Sequence, residues 1–239
     1  MPHRLLYCLS ILISLQSFSQ KTIDVDNDAN SNTSALQHYY NVAGTPFVMA
    51  KFSRVVEGTP FFNKEIMKGA IILSEGREYR NMMIRLNLLE SQVNYIDSTN
   101  TEIIATTPIK EVVLWDTLTN TDFRFVNSDY IKTKQIAEHD FYELLIAGKT
   151  ELYKQHKKLM SETRPYGSAT YEQTIQTHTL FYILKDGEWK RIKKLSELKA
   201  VFADKANDIN QYCAKYKITK DNEESFKYLT LYYNSLFLQ

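Results

Sequence analysis

The chain has 239 residues, with 29 Lys and Arg against 28 Asp and Glu, and a formal net charge of +1. A protein so close to neutral has no field that would draw it to a polyanion, so we exclude a nucleic-acid partner. Only 7 Gly and 5 Pro stand against 16 Tyr, 12 Phe and 2 Trp, and this balance excludes a largely disordered chain.

The N-terminal residues predict an export signal. A short basic head ends at Arg4, an apolar run covers Leu5 to Leu15, and Ser17 and Ser19 form a small-x-small cleavage signal. The apolar run is too short to cross a hydrocarbon layer of ~30 Å. A buried N-terminal helix is the alternative, which the polar residues that follow at once disfavour. We therefore predict cleavage after Ser19 and a periplasmic or extracellular protein with no transmembrane segment.

Removal of residues 1–19 would simplify the chain further. It would take away Arg4 and Cys8 but no acidic residue, so the mature protein would be formally neutral, with Cys213 as its one cysteine. A lone cysteine cannot form an internal disulfide, and packing must therefore stabilise the fold. We predict a flexible polar segment over residues 20–42 and a single α+β domain over residues 43–239.

The first part of this domain has the two-residue period of β-strands. Met82, Ile84, Leu86 and Leu88 form one apolar face, as in a half-buried strand. Glu75-Gly76 before it suits a tight hairpin turn, and short polar turns separate the apolar stretches that follow. The pattern predicts an antiparallel β-meander or curved sheet, with the β part of the domain spanning residues 45–192.

A second β block is predicted around two hairpins. Gly148-Lys149 suits a two-residue turn and would set Leu152 opposite Leu145. Asp186-Gly187 is the strongest hairpin signal in the chain, and it pairs Leu184 with Trp189 and Tyr182 with Arg191. Between the hairpins, residues 154–176 are polar and form either a long loop or two strands that reach beyond the sheet.

Two to three helices are predicted over residues 196–239. Ile209, Tyr212, Cys213 and Tyr216 recur with helical spacing and form one apolar face, on which Cys213 is an inert buried thiol. Asp204 is the expected N-cap of this helix. A second amphipathic helix follows, for which Asp221 and Glu224 form a variant capping box.

The sequence contains no motif that predicts catalysis. The histidines have no zinc-ligand spacing, no Gly-x-Ser-x-Gly elbow presents a nucleophile, and no phosphate-binding loop is present. We accordingly predict no catalytic residue, no metal site and no cofactor.

Several short stretches, taken together, resemble a known group of proteins. They are the Ser-Phe-Ser-Gln end of the signal, Gly58–Phe62, Gly69–Leu73, Glu75–Tyr79, Ile84–Asn87, Asp140–Leu145 and Leu231–Asn234. The chain resembles the small exported, uncharacterised β-rich proteins of Bacteroidetes, over most of residues 45–239. The resemblance implies an envelope location and carries over no site residue.

These observations favour a non-enzymatic envelope protein that binds or serves a structural role. Its partner would be another envelope protein or a small ligand. Arg164, Tyr166 and Tyr171 are the candidate binding residues, because the polar segment 154–176 retains these residue types, which serve well as interface anchors. A solvated loop without a role is the alternative for this segment. A hydrolase assembled from distant residues and a carrier of a small apolar ligand are the alternative functions.

Overall fold

The computed structural model describes residues 22–24, 42–48, 52–133, 135–136 and 139–238. Over these residues the chain forms a mixed β-sheet of 13 strands followed by three α-helices, which is the expected α+β fold. The strands are β1 (Thr22–Asp24), β2 (Gly44–Pro46), β3 (Val55–Glu57), β4 (Met67–Leu73), β5 (Glu78–Asn87), β6 (Gln92–Ile96), β7 (Glu102–Ala105), β8 (Ile109–Asp116), β9 (Thr121–Asn127), β10 (Phe141–Ile146), β11 (Thr150–Thr163), β12 (Glu172–Lys185) and β13 (Glu188–Ile192). The helices are α1 (Leu195–Val201), α2 (Ala206–Tyr216) and α3 (Glu223–Ser235).

The strand order corrects the expectation of a simple antiparallel meander. The main path runs β13-β12-β11-β10-β9-β8-β4-β5-β6-β7-β2, so β8 lies beside β4 rather than beside β7. Two short strands add parallel pairings, β1 with β5 and β3 with β12. Strand β1 falls within the segment predicted to be polar and flexible, and the predicted cleavage site at Ser19 lies outside the described residues.

The first half of the sheet is strongly curled. Residues 106–108 alone connect β7 to β8, although β4, β5 and β6 lie between these strands in the sheet. Four strand spacings would separate them by about 19 Å in a flat sheet, further than so short a connection can reach. Asn81 has a left-handed φ of 59° where the register of β4 and β5 shifts, and it bends β5.

The inside of this curl is the first hydrophobic core. Met82, Ile84, Leu86 and Leu88 are all buried there, which confirms the alternating face predicted for β5. Leu73 N–H donates to Arg77 O, and Gly76 N–H donates to Leu73 O, so the predicted turn at Glu75-Gly76 is also present.

The helices cover one face of the second half of the sheet. They bury Leu152 and Ile183 in a second core with Leu198, Phe202 and Phe226. Asn234 of α3 ties the helices to the β10–β11 turn, because its side-chain amide accepts from Thr150 N–H at 2.9 Å and donates to Thr150 O at 2.8 Å. The helices are therefore an integral layer of the domain.

Of the two strand registers predicted for the second β block, one is confirmed and one is wrong. Leu184 pairs with Trp189 and Tyr182 with Arg191, as the Asp186-Gly187 turn predicted. Leu152 pairs with Ile146 and not with Leu145, because a register shift interrupts β10 between Leu144 and Ile146. A bulge adds a residue to one strand only, and the spacing from the turn does not show it.

Both predicted helix caps are displaced by one residue. Lys205, not Asp204, is the N-cap position of α2, and the Asp204 carboxylate instead accepts a hydrogen bond from Tyr233 Oη at 2.9 Å. At α3 the N-cap is Asn222, whose side chain accepts from Ser225 N–H at 3.0 Å. Asp221 accepts from Leu195 N–H at 2.7 Å and so connects two helices.

Candidate functional site

Strands β11 and β12 and the turn between them form a long hairpin, which we call the arm. Residues 154–176 are its outer part. Both strands have 14 residues and pair without interruption, from Thr150 opposite Lys185 to Thr163 opposite Glu172. Strand β10 pairs with β11 only near its start, at Leu152, Tyr153 and Lys154. The sequence left open a long loop or two strands that reach beyond the sheet, and the structure shows the two strands.

The tip of the arm carries the three residues that the sequence singled out. Tyr166 is fully exposed and Tyr171 is nearly half exposed. Arg164 Nε donates to Ser168 O at 2.9 Å, and its guanidinium carbon lies 5.7 Å from the centre of the Tyr171 ring. The structure thus brings Arg164 and Tyr171 together and leaves Tyr166 apart. A guanidinium held in this way loses less conformational entropy when it binds a partner.

The arm is braced along one edge by β3. Gln173 N–H donates to Arg54 O at 2.8 Å, and Gln173 and Thr174 pair in parallel with β3. Gly58, with φ of 83°, follows β3, and a Cβ there would lie 2.0 Å from Ile175 O. Only glycine permits this approach of two backbones. The brace orients the arm relative to the first core.

A buried polar cluster lies where β10 and β11 meet α3, and we call it the Glu143 cluster. His156 Nε2 lies 2.6 Å from Glu143 Oε2, and Lys154 Nζ lies 3.6 Å from the same oxygen. Lys154 Nζ also lies 2.9 Å from Glu223 Oε2 at the start of α3. Burial raises the pKa of Glu143, but the hydrogen bond from His156 and the charge of Lys154 outweigh it and hold the pKa below 4.5.

The Glu143 cluster has the chemical groups for proton transfer but little access to solvent. The side chains of Glu143 and His156 are only 8% and 14% exposed. Phe62 packs edge-on against the His156 ring, with 5.1 Å between ring centres. No local pattern in the sequence indicates the contact of Glu143 with His156, because the two residues lie on different strands and in no motif. The arrangement is that of an internal polar contact between the first and second hydrophobic cores.

A tyrosine-lined groove lies between α2 and α3. Its volume is about 500 Å³, and its lining includes Tyr212, Tyr216 and Tyr228. Tyr216 is more than half exposed, so the prediction that it shares the buried face of α2 is wrong, whereas Ile209 and Cys213 are buried as predicted. The last turn of α2 therefore faces solvent, and Cys213 lies under it at 5% exposure.

The described residues contain neither a cluster that could hold a metal ion nor a helix that could span a membrane. Within this part of the chain, no group of three or more His, Cys, Asp or Glu side chains is arranged to hold a metal ion. No helix in the same part is long and apolar enough to cross a bilayer. Comparison of the whole chain with protein-family models, curated proteins and solved structures gave no match.

Proposed function

We propose that the chain is an exported, non-enzymatic binding protein of the cell envelope, and that the arm is the element that contacts its partner. One observation carries this proposal. The arm extends past β10 and presents Arg164, Tyr166 and Tyr171 to solvent at its tip. Arginine and tyrosine are the residue types that most often dominate binding energy at protein interfaces. The partner would be another envelope protein or a small ligand.

The envelope location is supported by the sequence. The apolar run Leu5–Leu15 followed by Ser17 and Ser19 has the form of a secretory signal, and the resemblance to exported β-rich proteins of Bacteroidetes is in keeping with it. Whether the chain is exported from the cell tests the proposed envelope location directly.

The rigidity of the arm supports a role in binding. The arm has uninterrupted pairing along both strands, and β3 braces its outer edge. A contact element that is already ordered avoids much of the entropy cost of association. The exposed tip residues are therefore placed on a scaffold that holds them in a fixed position relative to the core.

A hydrolase is the second function that an observation favours, since the contact of Glu143 with His156 joins a carboxylate to an imidazole. Their burial leaves little room for a substrate, and for this reason we prefer the binding function. If the purified protein has hydrolase activity, and if Glu143→Gln loses this activity while it stays folded, the hydrolase would become the preferred function.

The test of the binding function is a pull-down from the envelope of the producing cell. The variant combines Arg164→Ala, Tyr166→Ala and Tyr171→Ala, and we expect it to lose the partner while keeping its melting temperature. Surface substitutions usually change stability by only ~0.5 kcal/mol each. The control combines Arg191→Ala, Tyr216→Ala and Tyr228→Ala, which removes the same residue types from other exposed positions. Equal partner recovery with both variants would contradict the proposal.

A further inference from the structure

The groove between α2 and α3 is large enough for a ligand and continues along α3. Its volume of about 500 Å³ lies within the ~300–1,000 Å³ that is typical of small-molecule sites. A second hollow of about 350 Å³ adjoins it, and the two share Glu224 and Tyr228 in their lining. Leu231, which is nearly half exposed, lines the second hollow about one turn further along α3. The two hollows together therefore suit an elongated ligand.

The tyrosines of the groove are held in place by their neighbours. The Tyr212 ring stacks on the Tyr232 ring of α3, with ring centres 3.9 Å apart and planes that differ by 7°. Tyr216 packs against Tyr212 with 4.7 Å between ring centres. Tyr228 Oη donates to Glu224 Oε1 at 3.2 Å, one turn earlier on α3. Although Tyr216 and Tyr228 are 56% and 49% exposed, their rings are thus ordered before a ligand binds, which lowers the entropy cost of binding.

The rest of the lining supplies both donors and acceptors of hydrogen bonds. Lys217 and Lys220 contribute ammonium groups, and Thr219 contributes a hydroxyl. Glu224 contributes a carboxylate. All four residues are exposed, so their polar groups are accessible to a ligand. A ligand that suits this lining needs a flat apolar face for the tyrosine rings and an edge that both donates and accepts hydrogen bonds.

The charges around the groove disfavour an ionic ligand of either sign. Lys215 Nζ lies 5.2 Å from the centre of the Tyr216 ring, and its charge, with those of Lys217 and Lys220, repels a cation. Glu224 in the same lining repels an anion. A purely apolar ligand would remove water from these charged groups without replacing its hydrogen bonds. The chemistry that remains is an uncharged ring with C–H groups on its faces and hydroxyls on its edge, which is that of a sugar.

We propose that the groove between α2 and α3 binds a neutral oligosaccharide. Sugar rings pack with their C–H faces on the exposed rings of Tyr216 and Tyr228, and their hydroxyls bond to Glu224 and Lys220. A further sugar unit occupies the second hollow, beside Leu231. The helices build this site, whereas the arm is the proposed contact for a partner. The groove therefore adds a second binding site and does not rest on the proposed function of the arm.

Electrophoresis of the purified native protein through gels that contain a polysaccharide tests this proposal. The neutral probes are soluble starch, β-glucan, galactomannan and dextran, and the ionic probes are polygalacturonate and chitosan. We expect at least one neutral polysaccharide to slow the protein, and to slow it more than either ionic one does. Calorimetry with a tetrasaccharide from the polysaccharide that binds then gives the Kd. The proposal is overturned if no neutral polysaccharide slows the protein, or if an ionic one slows it more strongly.

Substitution of the two exposed tyrosines tests whether their rings form the site. We expect Tyr216→Ala and Tyr228→Ala each to raise the Kd for the tetrasaccharide at least about tenfold. Tyr216→Phe and Tyr228→Phe keep the ring, and we expect each to raise the Kd less than about threefold. Leu118→Ala, which removes a nearly fully exposed apolar side chain from the β8–β9 turn, is the control and is expected to leave the Kd unchanged. Unchanged binding in both alanine variants would overturn the proposal.

A variant that blocks the groove keeps the test valid if an alanine variant is unstable. Thr219→Arg introduces a long side chain from an exposed position of the lining and removes no ring. We expect it to weaken binding of the tetrasaccharide at least about tenfold while the melting temperature stays unchanged. Full binding by Thr219→Arg would place the sugar outside the groove and overturn the proposal.

The sugar measurements are independent of the pull-down that tests the arm. They use purified protein and free sugar, so their failure leaves the proposal for the arm unaffected. Tyr216 and Tyr228 also belong to the control variant of the pull-down, and a partner held through its sugars would be lost from that control. Adding the tetrasaccharide in excess to every pull-down fills the groove, and the difference between the arm variant and the control then reports on the arm alone.

Discussion

His156 Nε2 lies 2.6 Å from Glu143 Oε2 at the seam between the first and second hydrophobic cores. Strand β10 supplies the carboxylate and β11 the imidazole, and Lys154 connects the same carboxylate to Glu223 of α3. Three charged residues and a histidine therefore occupy a site that apolar side chains could otherwise fill. Such a site constrains how the sheet and the helices fit together, because each group needs its particular partner.

The Glu143 cluster predicts a loss of stability in acid. Its surroundings hold the pKa of Glu143 below 4.5, so the folded state binds this proton less readily than the unfolded chain does. The contribution of Glu143 is therefore present above pH 4.5 and is lost as the pH falls through the lowered pKa. In Glu143→Gln we expect unfolding free energy to drop by about 1–3 kcal/mol at neutral pH and to decline less in acid.

Urea unfolding at a series of pH values measures both effects. Glu188→Gln is the matched control, because Glu188 is exposed at the β12–β13 turn. Parallel acid profiles of Glu143→Gln and the unmodified protein would show that Glu143 does not set the acid limit.

The environment of Tyr233 leads us to expect a loss of stability at high pH. Burial, followed by the hydrogen bond to Asp204, raises the pKa of Tyr233 to about 12 from an ordinary value of 10.0. Its contribution is fully present below pH 10 and is lost as the pH rises toward 12. We expect Tyr233→Phe to reduce the decline of the unfolding free energy over this interval. Tyr166→Phe, on a fully exposed residue, is the control, and identical profiles for the two variants would contradict the prediction.

Asn234 predicts how strongly the helices are coupled to the sheet. Its side chain is bonded to both backbone groups of Thr150, and it lies against Gly148 in the β10–β11 turn. Asn234→Ala leaves these groups without partners, and we expect a loss of about 1–3 kcal/mol in unfolding free energy. Hydrogen exchange at Thr150 should accelerate as well. Asn207→Ala, on the exposed side of α2, is expected to change neither quantity, and an equal effect of both variants would argue against the coupling.

The signal at the N-terminus predicts a defined processing event. The apolar run Leu5–Leu15 and the small residues Ser17 and Ser19 lead us to expect cleavage after Ser19. N-terminal sequencing of the protein released by its host should begin at Gln20. Substitution of Ser19 by Arg is expected to retain the longer chain, and the exposed-surface substitution Lys220→Glu serves as its control. A released protein that still contains Leu5–Leu15 would contradict the prediction.

Local chemistry explains which elements were predictable. The Asp186-Gly187 turn fixed the register of β12 and β13, because a two-residue turn leaves one way to pair the strands. The alternation in β5 identified a buried face for the same kind of reason, since its period depends on the strand alone. The Gly148-Lys149 turn failed as a guide to Leu152, because the register shift in β10 depends on packing beyond the turn.

The sequence by itself determined the elements of this protein: strands with one apolar face, the hairpin turns, and the amphipathic helices that end the chain. These follow from side-chain periodicity and backbone preferences, which act within a few residues. Only the tertiary structure decided that β8 lies beside β4, that β3 braces the arm, and that Glu143 meets His156. Each of these pairings joins strands through distant contacts, and their partners are selected by the shape and polarity of the assembled cores rather than by any local pattern.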